Sequence, residues 1–108
     1  MQSLDSSALR QALSQLPHWT LNPARPALER SFVFADFAQA FAFMTEMAIF
    51  SEKQNHHPEW SNVYNRVSVT LTTHDVGGIS ERDVVWARVA DAAFARHESP
   101  ISVSGANS

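Results

Sequence analysis

The stretch EWSNVYNRVSVTLTT, Glu59 to Thr73, decides the fold. In its second half Val67, Val69 and Leu71 alternate with Ser68 and Thr70, the period of a strand buried on one face only. In its first half Trp60, Asn62 and Tyr64 share one parity. Asn65–Arg66 reads as the two-residue turn between them, because asparagine tolerates the left-handed backbone of a tight hairpin. That register sets Tyr64 opposite Val67, a favourable aromatic and β-branched pair. Carried further, it sets His57 opposite His74, which implies proximity at one end of the sheet and not a ladder pair.

Working outward, the residues before this hairpin predict a long helix. Asp36 is its natural N-cap and Asn55 its approximate end. Phe37, Phe41, Met44 and Ala48 form its apolar stripe, with Ala40 and Met47 alongside, suited to packing on a sheet. Further upstream, PARP at Pro23 to Pro26 marks a turn between two strands, so a hairpin runs from about Trp19 to Phe34. A short first helix carries Leu9, Leu13 and Leu16, is capped by Asp5 or Ser6, and stops at Pro17. Downstream of the deciding hairpin, DVGG is a loop. Ser80 caps a last helix with Asp83 three residues on, a variant of the capping box. Val85, Val89 and Ala93, with Trp86, Ala90 and Phe94, form the expected buried face of that helix.

The order helix, two strands, helix, two strands, helix predicts an α+β fold. It has two layers, a four-stranded antiparallel sheet with three helices on one face. One domain is expected over residues 1–97, followed by a flexible C-terminal tail at 98–108. The 108 residues suffice for a single core, and the hydrophobic share of 44% is that of a globular chain.

A net charge of −3 without a basic run argues against a nucleic-acid binder. No apolar run reaches the length of a membrane span, and the N-terminus lacks an apolar signal core. A cytoplasmic location is the default expectation. The absence of cysteine excludes disulfides, thiolate nucleophiles and cysteine zinc sites.

Chemistry concentrates in the histidines of NHHPEW, Asn55 to Trp60, and of TTHD, Thr72 to Asp75. Pro58 holds His57 extended, so the long helix ends at or before His56. His56 then lies near a helix C-terminus, where the dipole favours a charged imidazole. Hairpin pairing brings His74 to the same edge. Glu52 lies one helical turn before His56, Asp75 and Asp83 flank the third histidine in sequence, and Trp60 offers a flat ring for stacking. Three histidines at one edge suit proton transfer. They could also bind a divalent metal, though no HExxH or HxH spacing is present, or belong to a pure binding module.

The segments EKQNHHPEW and VYNRVSVTLTTHDVGGISERD closely resemble the pterin-4a-carbinolamine dehydratases. The shared pattern is His-His-Pro, a following tyrosine, alternating strand residues, Thr-His, a glycine and Ser/Thr-x-x-Asp. The likeness runs from about Ser6 to Phe94. It implies dehydration of a 4a-hydroxytetrahydropterin to quinonoid dihydropterin and water, without metal or organic cofactor. This would recycle the pterin used by an aromatic amino acid hydroxylase. By the same resemblance His56, His57 and His74 are the active-site histidines. Glu52, Pro58, Trp60 and Asp83 share their pocket, and the loop residues Thr73, Asp75 and Val76 touch the pterin. A homodimer or homotetramer is implied. The alternative is a non-catalytic binding or assembly module on the same fold.

Overall fold

Aspartates open two of the helices. Asp5 accepts a hydrogen bond from the Ala8 amide (2.8 Å) and starts α1, Ser6–Ser14. Asp36 accepts from the Gln39 amide (2.8 Å) and starts α2, Phe37–Gln54. The computed structural model describes residues 2–98, so the expected tail lies outside the described residues except for Glu98. Glu98 is the last residue of α3, Glu81–Glu98. The strands are β1, Thr20–Leu21, β2, Leu28–Val33, β3, Glu59–Val63, and β4, Arg66–Leu71.

The strands form one antiparallel sheet in the order β1-β2-β4-β3. One face carries Leu28, Phe32, Val67, Val69 and Leu71, all buried against the helices. The other bears Ser31 and Ser68, whose hydroxyls lie 3.3 Å apart. This is the expected α+β architecture, with alternation deciding which face meets the helices. The first hairpin is shorter than expected: Trp19 precedes the ladder, and β1 has two residues.

The hairpin turn lies one residue earlier than the sequence suggests. Val63 pairs with Arg66 and Trp60 with Val69, so Tyr64 and Asn65 make the turn and Tyr64 does not face Val67. Tyr64 takes the left-handed conformation, φ 51°. Tertiary bonds hold this register: Asn65 accepts from the Phe34 amide (2.8 Å) and its side-chain amide donates to the Phe34 carbonyl (2.9 Å). Asn62 donates to the carbonyls of Tyr64 and Arg66 at 3.0 and 2.9 Å. The ladder begins at Glu59, past His57, and His74 opens a single 3-10 turn, His74–Val76, that overlaps the expected loop.

The long helix is rotated from its expected orientation. Ala40, Phe43, Met47 and Ser51 are buried, whereas Phe37 and Phe41 are 47% and 57% exposed, and Ala48 is exposed. Two apolar stripes compete on α2, and the sheet takes the one whose Phe43 meets Phe32 and Phe34, at centroid distances of 4.9 and 5.1 Å. Ser51 can be buried because its hydroxyl donates to the Met47 carbonyl (2.7 Å) and accepts from the Trp86 indole (2.9 Å). On α3, Val84 and Ala87 are buried with Trp86, Ala90, Ala93 and Phe94, while Val85 and Val89 are half-buried.

Candidate active site

Leu28 pairs with Leu71, and Glu59 with Thr70. This places the end of β4, the start of β3 and the β1–β2 turn at one end of the sheet. The C-terminus of α2 arrives there too. Asn55 takes the left-handed conformation, φ 52° and ψ 44°. Its amide donates to the Glu52 carbonyl (3.3 Å) and the His56 amide to the Ser51 carbonyl (3.1 Å), a Schellman ending. The chain thus turns out of the helix at His56, and Pro58 leads it into β3.

His56 is 8% exposed, and its Nε2 lies 2.6 Å from Oδ1 of the fully buried Asp83. The other Asp83 oxygen accepts from the Thr73 hydroxyl (2.8 Å) and from the Ser80 amide (2.9 Å). The Ser80 bond is the reciprocal half of the expected capping box, so a helix start and a histidine clamp share one carboxyl group. The Thr73 and Ser80 hydroxyls lie 2.6 Å apart. Buried as it is, this network holds the Nε2 edge of the His56 ring in a set orientation.

His57 and His74 are held more loosely. His57 Nε2 lies 2.5 Å from Glu52 Oε2 in an exposed pair. His74 Nε2 lies 3.5 Å from Glu59 Oε2, with 79% of its side chain exposed. Arg25 donates to both Glu59 oxygens, at 2.9 and 3.0 Å. The Arg25 guanidinium keeps the Glu59 carboxyl below its ordinary range, and the carboxylate raises Arg25 in turn.

All three histidines line one cleft of about 230 Å³, together with Thr73 and Asp75. Asn55, Thr72 and Arg82 complete its wall. Glu52 and Asp83 stand behind the rings they contact. Pro58, Trp60 and Val76 are not among the lining residues. Trp60 is half-buried on the helix side of β3, edge-on to Trp86 with centroids 6.0 Å apart. A smaller apolar recess of about 110 Å³ adjoins the cleft and shares His56 and Arg82 with it. Among the described residues no cluster of three histidine, aspartate or glutamate side chains could hold a metal ion.

Arg82 and Glu59 escaped the sequence reading. Each stands beside a residue that did not: Arg82 precedes Asp83 in the first turn of α3, and Glu59 follows Pro58. Their adjacency was visible, but the direction of each side chain depends on the fold.

The sequence profile of the family described as pterin 4 alpha carbinolamine dehydratase matches residues 2–93. A relative from Burkholderia cenocepacia, provisionally named pterin-4-alpha-carbinolamine dehydratase, is 54% identical over 97 residues, 90% of this chain and 94% of its own. One from Rhizorhabdus wittichii with the same provisional name is 57% identical over 81 residues, 75% of this chain and 84% of its own. The crystal structure of a transcriptional coactivator/pterin dehydratase from Brucella melitensis superposes with a TM-score of 0.84 at 45% identity, covering 86% of this chain and 99% of that one. A pterin dehydratase-like protein identified as a RuBisCO assembly factor in the alpha-carboxysome superposes with a TM-score of 0.62 at 27% identity, covering 70% and 88%. Matched along nearly its whole length and by relatives above half identity, the chain belongs to the pterin-4a-carbinolamine dehydratase family.

Proposed function

We propose that the protein dehydrates 4a-hydroxytetrahydropterins by histidine acid–base catalysis. The carrying observation is the convergence of His56, His57 and His74 on one cleft. In the reaction the C4a–O bond breaks as its oxygen gains a proton and leaves as water. N5 loses its proton, and the electron pair of that N–H bond supplies the C4a=N5 double bond. One proton is given and one taken, so an acid and a base suffice and no oxidant is required.

His56 and His74 trade these roles in our reading, and His57 with Glu52 positions the ring. The clamp on His56 suits it to this work, since Asp83 fixes which nitrogen carries the proton. The cleft is below the roughly 300–1,000 Å³ that encloses a drug-sized ligand, so it matches a flat bicyclic ring with its substituent in solvent. A hydroxylase would generate the carbinolamine, and ultraviolet absorbance would follow its loss. His56→Ala and His74→Ala are each expected to slow dehydration by about 10²- to 10⁴-fold. A His74→Ala protein with the wild-type rate would remove that ring from the mechanism.

The assembly-factor relative supports a second reading, a binding module on this fold. The buried His56–Asp83 clamp favours catalysis, because a docking surface gains nothing from a fixed imidazole. We further infer a cytoplasmic homo-oligomer serving an aromatic amino acid hydroxylase. The exposed Phe37 and Phe41 on α2 and the open edge of β3 are surfaces that a second copy would cover.

A further inference from the structure

Resting on that reading of the cleft, we propose that Glu59 is a positioning residue for His74 and that Arg25 holds Glu59 in place. His74 has no buried carboxyl of the kind that clamps His56. Its nearest acidic partner is Glu59, 3.5 Å from Nε2 at the first residue of β3. A carboxylate there favours a proton on Nε2, which leaves Nδ1 as the basic atom. Glu59 is an exposed side chain that would otherwise sample several rotamers. The two-pronged bond from Arg25 removes that freedom, and planar guanidinium matches carboxylate in this way where lysine cannot.

Arg25 is well placed to do this. Asn22 accepts from the Ala24 and Arg25 amides at 2.7 and 3.0 Å, closing the turn. Thr72 donates from its hydroxyl to the Pro26 carbonyl (2.9 Å), tying the turn to the segment that carries His74. The turn of the first hairpin thus reaches across the end of the sheet from the β1 side to β3. The other charged or titratable groups facing His74 are His56, His57, Asp75 and Arg82, which line the same cleft. Of these groups and Glu59, only Glu59 is within ion-pairing distance of its ring.

The pair also makes a signed prediction. Glu59→Gln removes a negative charge beside His74, so the acid-side limb of the kcat profile should move to lower pH. Arg25→Gln frees the Glu59 carboxylate to leave His74, so the limb should move the same way, by a smaller amount. Shifts of about 0.3–0.5 pH unit and rate losses of about 2- to 5-fold suit a solvent-exposed pair. KM should stay within about twofold, since neither group lines the cleft. Arg25→Lys should restore the sign of the charge but only part of the rate.

Two measurements test this on the intact protein: pH–rate profiles of the variants, and the imidazole 15N signals of His74 by NMR. The expected result is movement of both limbs to lower pH, larger in Glu59→Gln, with a displaced His74 Nε2 signal in both variants and unmoved His18 and His97. Limbs that stay put or move to higher pH, or an unmoved Nε2 signal, would overturn the assignment. Displaced Nε2 signals in a protein that leaves the carbinolamine untouched would keep the positioning role and reject the reaction instead.

Discussion

Asp83 shows how much one side chain can be asked to do. It takes hydrogen bonds from Thr73 and Ser80 and holds His56, and is itself fully buried. Replacing it with asparagine keeps the shape, but the amide group offers one acceptor oxygen where the carboxyl has two. The NH2 group then turns toward a partner that expects an acceptor, and facing His56 it would favour the opposite tautomer. We expect Asp83→Asn to lower kcat about a hundredfold or more. The stability loss should be nearer 1–3 kcal/mol, the cost of one unsatisfied buried group. Stopped-flow dehydration and urea melts would separate the two effects. A variant that loses both in proportion would make Asp83 a structural residue only. Its role as a helix cap was legible from Ser80 and Asp83 standing three apart. Its role as a histidine clamp was not, because His56 lies 27 positions away.

At the level of elements, the site depends on how α2 ends. Asn55 adopts a backbone that costs most residues about 1–2 kcal/mol and that glycine takes freely. Asn55→Gly should therefore melt within a few tenths of a kcal/mol of wild type and keep its activity. Asn55→Val should lose about 1–2 kcal/mol and also slow the reaction, because a re-routed chain moves His56 off Asp83. Calorimetry and the dehydration assay together check this. A fully active valine variant would mean that the helix ending does not set the histidine. The hairpin offers a contrast. Its existence was plain from the alternation of Val67, Val69 and Leu71. Its turn was not, because the bonds between Asn65 and Phe34 outweigh the local preference that placed the turn one residue later. Left to local chemistry, a tyrosine is a poor occupant of the left-handed position that Tyr64 fills.

Across the whole molecule, α2 presents apolar residues on two sides. Phe43 and Met47 enter the core, while Phe37 and Phe41 stack on each other at 5.7 Å in solvent. No single sheet can bury both stripes, so one remains for another surface. Phe41→Glu should lower the oligomeric state while leaving the fold intact, since Phe41 is 57% exposed and is not part of the buried core. Sedimentation velocity with circular dichroism would test it. An unchanged sedimentation coefficient would remove this stripe as a contact between copies.

The order of elements, the inner face of the sheet, the caps of the helices and the residues capable of proton transfer were all set by the chain itself. Each depends on neighbours within a few positions: alternation at period two, a capping aspartate, a proline that ends a helix. The tertiary structure decided which stripe of α2 is buried, where the hairpin turns, that Trp60 meets Trp86 edge-on, and that Arg25 meets Glu59 beside His74. Those outcomes turn on contacts between residues far apart in sequence. Local propensity differs by about 1 kcal/mol or less between such alternatives, and packing or a buried hydrogen bond outweighs it.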